Sequence, residues 1–535
     1  MSPITGATQP RVSWPMAEGQ RSFLLTAGAV LAGFRPDDDP NGLGDAAILV
    51  EDGYIAEIGP AADLTARHPD LPRESGAGMI ALPGFVNSHH HFGITPLMGG
   101  VPFAPLEFWL PRFRAMRGVG PRLDTLYSAI EMLESGTTTV HHINSGLVGT
   151  PENWEATMDA ILSAYGEIGM RVSYSFMMRD RNVLSYDDDA KLLATLPGNL
   201  RDWIAPQLAA AATPTRDYME FFEAMRVQYA DDPTVRMSLA PANLHWCSDE
   251  SLQLILETAR KHGASVHMHL LETGRQARFA ETRYGHTAIQ HLAALDCLGP
   301  ELTLGHGNWA TEADLDLLGE CGCMVCHNAS SGLRLGSGIA PVNRMRGKKI
   351  PVALGIDQSN IMDDRDMTVE MKLVWALHRE SGLFNDRPDA ANVLQMATEH
   401  GARSAGFGGI TGRLEPNMQA DIVLMRRADI ERPFVSPRTP LADTVLHRAS
   451  KSAIDQVFVA GRKVVENGRV TGIDRDAVMQ EIRDILAAPE TAAEANAWNM
   501  VNALIPHLEQ FIGGTGVVTD HTPYRYNRFH PAPKG

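Results

Sequence analysis

Leu82-Pro83-Gly84-Phe85-Val86-Asn87-Ser88-His89-His90-His91 is the stretch on which the fold turns. An apolar, strand-forming run ends in three consecutive imidazoles. On an extended chain residues i and i+2 share a face, so His89 and His91 point to one side and His90 to the other. Two imidazoles at that spacing can grip one divalent metal. The same arrangement, a short apolar run closing on a ligand-type residue, recurs further along. His267-Met268-His269 closes one run, with Glu272 three residues later. His306 sits in Leu304-Gly305-His306-Gly307-Asn308-Trp309, and Asp357 in Leu354-Gly355-Ile356-Asp357-Gln358-Ser359.

These runs belong to a longer alternation. Strand-like segments are expected at 79–91, 137–144, 171–180, 235–247, 264–272, 302–309, 323–330 and 350–358, with helical spacing between them at 124–134, 154–168, 251–262, 287–295 and 312–318. Eight strand-then-helix units define an α/β protein and fit a (β/α)8 TIM-type barrel; a doubly wound sheet is the alternative that periodicity leaves open. In a parallel barrel all strands end on one face, where active sites sit. Imidazoles and carboxylates from several strands would then converge there. Burying them unpaired is costly, and a shared metal is the simplest resolution.

The flanks have a different texture. Residues 20–80 and 410–472 carry short strands and turns on either side of the 81–409 barrel, which predicts one composite β-sandwich closed by both ends. Residues 473–535 form a helical extension, with helices over 475–486 and 492–511, and a tail containing Asp520-His521 and Tyr524-Arg525-Tyr526.

Composition excludes several classes. The 535 residues carry a net charge of −17, which argues against nucleic acid or an anionic membrane surface as partner. No apolar run approaches the ~18–20 residues needed to span a bilayer. The apolar stretch 23–34 is broken by Thr and Gly and reads as a strand, so a cytoplasmic protein, a homo-oligomer with a small-molecule partner, is expected. Five cysteines are too few for a disulfide framework, and Cys321, Cys323 and Cys326 read as small apolar residues of a buried strand rather than a zinc knuckle.

The ordered set Pro83-Gly84, His89-X-His91, His269-X-X-Glu272, His306 and Gly355-X-Asp357 resembles the amidohydrolase superfamily, in the branch of atrazine chlorohydrolase, S-adenosylhomocysteine deaminase and guanine deaminase. Glu134-Ser135-Gly136-Thr137-Thr138-Thr139, the run from His327 to Gly336 and Gly401-Ala402-Arg403-Ser404-Ala405-Gly406 support it, and the similarity covers residues 22–472. The resemblance implies a metal-bearing barrel with a composite β-sandwich. It implies His89, His91, His269 and Asp357 as metal ligands, Glu272 as proton shuttle, Asp357 as acceptor of the water proton and His306 as the group orienting water or substrate. His90 and His267 match no ligand position. Two-metal members use a carbamylated lysine after strand four, where this chain reads Ala240-Pro241-Ala242-Asn243-Leu244-His245-Trp246. One divalent metal is therefore expected, Zn²⁺ first and Fe²⁺ second.

Such a metal acidifies water from a pKa of 15.7 toward roughly 7. The expected reaction is hydrolysis of a non-peptide C–N bond (amide, urea, carbamate or amidine) in a small, largely apolar molecule. The alternatives are deamination of an amino-substituted heteroaromatic ring and C–S or C–halogen hydrolysis at the same site. Phe92, Trp109, His142, Asn243, His245, Arg334 and Gln358 are the candidate substrate contacts. Glu107 is the only charge between residues 92 and 111, a loop that suits an apolar substrate flank. Gly332 stands where the family usually has Asn after the paired serines. Elemental analysis should find close to one equivalent of metal per chain, and His89→Ala or Asp357→Ala should remove both metal and activity.

Overall fold

The computed structural model describes residues 22–145, 151–186, 188–380 and 387–513; the tail with Asp520-His521 and Tyr524-Arg525-Tyr526 lies outside them. Eight parallel strands carry the site. β1 (Phe85–His90), β2 (Thr137–Asn144), β3 (Arg171–Met178) and β4 (Val235–Met237) pair in chain order. β5 (Val266–Leu270), β6 (Leu302–His306), β7 (Met324–His327) and β8 (Val352–Leu354) form a second parallel sheet. Single parallel bridges join the two at both seams, Leu239 to Val266 and His90 to Asp357. Every residue of β1, β3 and β5 is buried, which is why these strands read as nearly continuous apolar runs rather than alternating ones.

Parallel neighbours need long crossovers, and helices supply them. Asp249–His262 shows how the sequence sets one. Ser248 accepts the Ser251 N–H at the N-cap, Asp249 and Glu250 fill the first turn, and Arg260, Lys261 and His262 the last. Acids at the start and bases at the end oppose the helix dipole. Gly263 then takes the left-handed conformation at φ 63° and ends the helix.

The expected run 79–91 is in fact two strands. Its first part belongs to Arg73–Pro83 of an outer sheet, and β1 begins only at Phe85. Gly84 is the crossing point, donating to the Asp421 carbonyl while Phe85 donates to that of Gly136. The run 235–247 is also shorter than expected, reduced to Val235–Met237 and the two-residue strand Ala240–Pro241.

The outer sheet has eight strands drawn from both flanks. Its order is Arg469–Val470, Arg462–Glu466, Ile454–Val459, Ile422–Arg426, Arg73–Pro83, Ser22–Val30, Leu43–Glu51 and Tyr54–Pro60. The sheet curls, so that Phe23 stacks on Phe458 at 5.8 Å between centroids although two strands separate theirs. The two flanks thus form one continuous ladder around a shared core of Leu25, Ile48, Ile422 and Leu424. Among the described residues no helix is long and apolar enough to cross a membrane. Cys323 and Cys326 are buried at β7, and all five thiols are free.

A fully buried ion pair joins the two layers. Arg171, the first residue of β3, places Nη2 2.8 Å from Asp421 Oδ1 and Nε 3.0 Å from Oδ2. Asp421 also accepts the Ala460 N–H, and Arg171 donates to the Pro233 carbonyl. Removing one partner of such a pair strands a buried charge. Arg171→Met should therefore cost about 3–5 kcal/mol, read as a lower melting temperature, and Arg171→Met/Asp421→Leu should recover most of it.

Candidate metal centre

His89 and His91 leave β1 on the same side, as the two-residue repeat requires, and meet residues from β5, β6 and β8. His91 Nε2 lies 3.1 Å from His89 Nε2 and 3.0 Å from His269 Nε2. Asp357 Oδ1 is 3.4 Å from His91 Nε2 and 3.8 Å from His89 Nε2. His306 Nε2 sits 4.0 Å from Asp357 Oδ2 and 3.9 Å from Glu272 Oε2. Two sets of possible ligands arise within this group, His89 with His91 and Asp357, and His89 with His269 and His306.

The chemistry of this donor set fits a cation. His91 Nδ1 is 2.7 Å from the Ile143 carbonyl, so that nitrogen carries the proton and Nε2 presents a bare lone pair. That lone pair faces two further imidazole nitrogens and a carboxylate in a buried space. Burial, reinforced by the neighbouring imidazoles, holds His89 and His269 far below the usual imidazole range, so protonation cannot relieve the crowding. Four-coordinate zinc with N ligands at ~2.0–2.1 Å would set them about 3.3 Å apart, close to the spacings found here.

Backbone strain marks the same place. His306 and Asp357 adopt left-handed conformations, at φ 78° and 66°. Non-glycine residues rarely do so, and they do it here at the two strand ends that aim a side chain inward. Two glycines admit His89. A Cβ on Gly355 would lie 2.5 Å from His89 Cβ and 2.4 Å from Asn328 Oδ1, and one on Gly305 would lie 2.9 Å from His89 Cε1.

Neighbouring polar groups hold the two carboxylates. Ser331 donates to Asp357 Oδ2 at 2.6 Å, and Gln358 Nε2 donates to the same oxygen at 3.2 Å. Asn308 donates to the Glu272 carbonyl, and Glu272 N–H to Gln276. Burial, with Asp357 and Glu107 close by, pushes the Glu272 carboxyl well above its usual range. Burial lowers His306 to about 3, leaving a neutral imidazole. His267 Nε2 braces His89 Nδ1 at 2.8 Å.

A cavity of 570 Å³ opens beside these groups. His91, His269, Glu272, His306 and Asp357 line it, together with Phe92, Trp109 and Gln358. Four other expected substrate contacts are not in its wall. His142 is turned behind β2, where Nδ1 meets the Tyr165 hydroxyl at 2.9 Å. Asn243 folds its Oδ1 onto the Leu244 N–H, and His245 is sandwiched between Tyr186 and Trp246. Arg334 reaches the Ser359–Asp363 turn instead, donating to the Asn360 carbonyl and pairing with Asp363 at 2.8 Å. His142 and Arg334 thus spend polar atoms on the protein itself, while Asn243 Nδ2 and His245 Nδ1 are buried outside the cavity wall without a hydrogen-bond partner.

The cavity also contains residues that the sequence reading did not single out. Arg179, immediately after β3, is buried over the Trp246 ring at 4.3 Å, with its Nε lacking any partner. In the sequence it falls within the expected strand 171–180, and only the strand's actual end at Met178 puts it on the face where the candidate ligands emerge. Pro206, Gln207, Ala210 and Ala211 come from helix Gly198–Ala211, in the excursion between β3 and β4.

Imidazoles and a carboxylate that could hold a metal, at the ends of parallel strands with a buried carboxyl beside them, are the site of a metal-dependent hydrolase. Residues 80–464 match the amidohydrolase family, and the chain belongs to it. Residues 46–70 match the bacterial imidazolonepropionase-like composite domain. The chain is 31% identical to an 8-oxoguanine deaminase of Pseudomonas aeruginosa, over 84% of this chain and 96% of that one. It is 28% identical to a 5-methylthioadenosine/S-adenosylhomocysteine deaminase of Syntrophobacter fumaroxidans, over 88% of this chain and 99% of the relative. In fold it is similar to the zinc complex of atrazine chlorohydrolase from Arthrobacter aurescens, with TM-score 0.73, 21% identity and coverage of 87% of this chain and 100% of that one. The protein is thus an enzyme that hydrolyses non-peptide carbon–nitrogen bonds.

The tight approach at Gly355 makes a prediction. Gly355→Ala should displace His89 and lower metal content per chain, whereas Gly347→Ala, where nothing lies within 4 Å of the new methyl, should leave it unchanged. Elemental analysis of the two purified variants checks this.

Proposed function

We propose that this enzyme removes an amino group hydrolytically from a small heteroaromatic ring that carries an apolar substituent, releasing ammonia. The observation that carries the reading is the cavity itself, in which the ligand set and Glu272 form one end and Phe92, Leu106, Trp109, Phe113, Met177 and Trp246 line the rest. The apolar residues suit an apolar substituent, and Arg114, Ser145, Arg179, Gln207, Thr213 and Gln358 add the polar groups of the same wall. The amide, urea, carbamate or amidine expected from the sequence would use the same groups; the deaminases among the relatives move the reading to an aminated ring. C–S and C–halogen hydrolysis make less use of Glu272, because their leaving groups need no proton.

His89, His91, His269 and Asp357 would hold one divalent metal, zinc before iron. When bound, it supplies Lewis acidity that makes water nucleophilic at neutral pH. Glu272, protonated in its buried setting, donates from its carboxyl to the substrate nitrogen, so that ammonia rather than an amide anion departs. Asp357 Oδ2, oriented by Ser331, accepts the proton of the attacking water. His306 Nε2, between the two carboxylates, hydrogen-bonds the tetrahedral carbon's oxygen. Arg179 presents its free Nε–H to a ring nitrogen or carbonyl oxygen, while Phe92 and Trp109 cover the apolar substituent and exclude water.

This reading includes the two parallel sheets as halves of one closed (β/α)8 barrel over 81–409, which the bridges at both seams support. It takes the curled outer sheet as the composite β-sandwich of 20–80 and 410–472, with 473–535 as an extension. A cytoplasmic setting suits five free thiols. A homo-oligomer would cover the exposed Leu97, Phe103 and Met362.

A panel of aminopurines, aminopyrimidines and aminotriazines, with and without alkyl or aryl substituents, tests the reading by ammonia release. Substituted members should be turned over best. Alkyl- or arylamine release from amides, ureas or carbamates, without deamination of any ring, would refute it. Glu272→Gln should keep its metal while turnover falls by ~10²–10⁴. Phe92→Ala or Trp109→Ala should raise KM for the substituted rings with metal content intact.

A further inference from the structure

Two helices wall the cavity. Leu106–Arg114 contributes Leu106, Trp109, Leu110 and Phe113, and Gly198–Ala211 contributes Pro206, Gln207, Ala210 and Ala211. Neither is well built to stand alone. Each has an interior proline, Pro111 or Pro206, and neither has a side-chain cap at its N-terminus. A proline inside a helix removes a backbone hydrogen bond, and helices this short are marginal in water. Their separation must be set by what they pack against.

That support is the C-terminal helix Ala492–Gly513. Its buried residues Val501, Leu504, Ile505, Leu508 and Ile512 follow helical spacing and form one stripe. Leu504, Leu508 and Ile512 share a core with Leu200, Ile204 and Leu208 of one wall, and Phe108 of the other wall packs against it. Nearer the start of the helix, Trp498 packs on the cluster that includes Trp109, Leu106 and Phe113. Helix Leu106–Arg114 thus turns Trp109 to the cavity and Phe108 to the C-terminal helix.

Both ends of the support are pinned. Arg117, just past the first wall, grips Glu494 through Nε and Nη2 at 2.5 and 2.6 Å, and donates to the carbonyls of Ile485, Ala488 and Pro489. At the far end, Arg275 Nη1 donates to the Ile512 carbonyl at 3.1 Å, from the helix that begins two residues after Glu272. One helix is therefore tied to both cavity walls and to the segment carrying the proton shuttle.

We propose that helix Ala492–Gly513 is the positioning element of the substrate cavity, with Trp498 and Leu508 as the positioning residues that set the gap between its two helical walls. That gap decides which apolar substituent is admitted. The assignment rests on reading the cavity as the pocket for a substituted ring.

The test uses the zinc-loaded full chain and three variants, Trp498→Ala, Leu508→Ala and Arg117→Met, the last of which loosens the helix without leaving a void in the core. Amide hydrogen exchange should accelerate in Leu106–Arg114 and Gly198–Ala211, while β5 and β8 exchange as in the wild type and zinc content stays the same. On the panel member that the wild type turns over fastest, kcat/KM should fall by about 10- to 100-fold, carried by KM with kcat held. Trp498→Phe should restore both readouts. Wild-type exchange in both walls of all three variants would overturn the proposal, as would faster exchange with an unchanged KM. Should no panel member lose ammonia, the proposed reaction fails while the exchange measurement still decides whether the helix sets the walls.

Discussion

Three imidazole nitrogens within 3.0–3.1 Å of their neighbours, with a carboxylate beside them in a buried space, are the constraint on which this structure turns. Lone pairs so placed repel, and burial keeps the rings from taking up protons. A divalent cation turns the repulsion into coordination. Much of the surrounding architecture serves that convergence: strands that end on one face, glycines that let His89 approach, and strained backbone at His306 and Asp357. The strain has a direct physical sense, since a left-handed residue turns the chain sharply and can aim its side chain across the end of the sheet.

Support for this site is layered. Ser331 fixes Asp357, His267 fixes His89, and Asn308 fixes the backbone of Glu272. Glu370 in turn accepts the Ser330 N–H at 3.0 Å, anchoring the turn that presents Ser331. Each such contact limits how far a reacting group can drift, and small displacements are costly in catalysis. The Arg171–Asp421 pair plays the corresponding part at the opposite end of β3, tying the parallel strands to the outer sheet.

Selectivity comes from elsewhere. The end of the cavity with the candidate ligands is polar and braced by the strands, while much of its wall is apolar and comes from helices outside the strand ladder. Separating the two allows substrate choice to change without moving the metal ligands.

The sequence by itself placed the candidate ligands and the candidate acid near strand ends, and resemblance to the amidohydrolase superfamily implied their roles. His89, His91, His269, His306 and Asp357 stand at the ends of short apolar runs, with Glu272 three residues past His269, and the two-residue repeat of a strand dictates which neighbours share a face. Those are local rules, and local rules can be read from one chain. The alternation of strand and helix was legible for the same reason. What only the tertiary structure decided is which polar residues near the strand ends face the cavity. His142, Asn243, His245 and Arg334 had the right chemistry and the right position along the chain, yet none lies in the cavity wall, which holds Arg179 instead. The break at Gly84, where one apparent strand serves two sheets, was likewise hidden, because hydrogen-bond partners more than 300 residues apart leave no local mark. The same holds for the C-terminal helix. Its apolar stripe shows in the sequence, but the surface that stripe covers, the back of both cavity walls, is set by packing between segments remote in the chain.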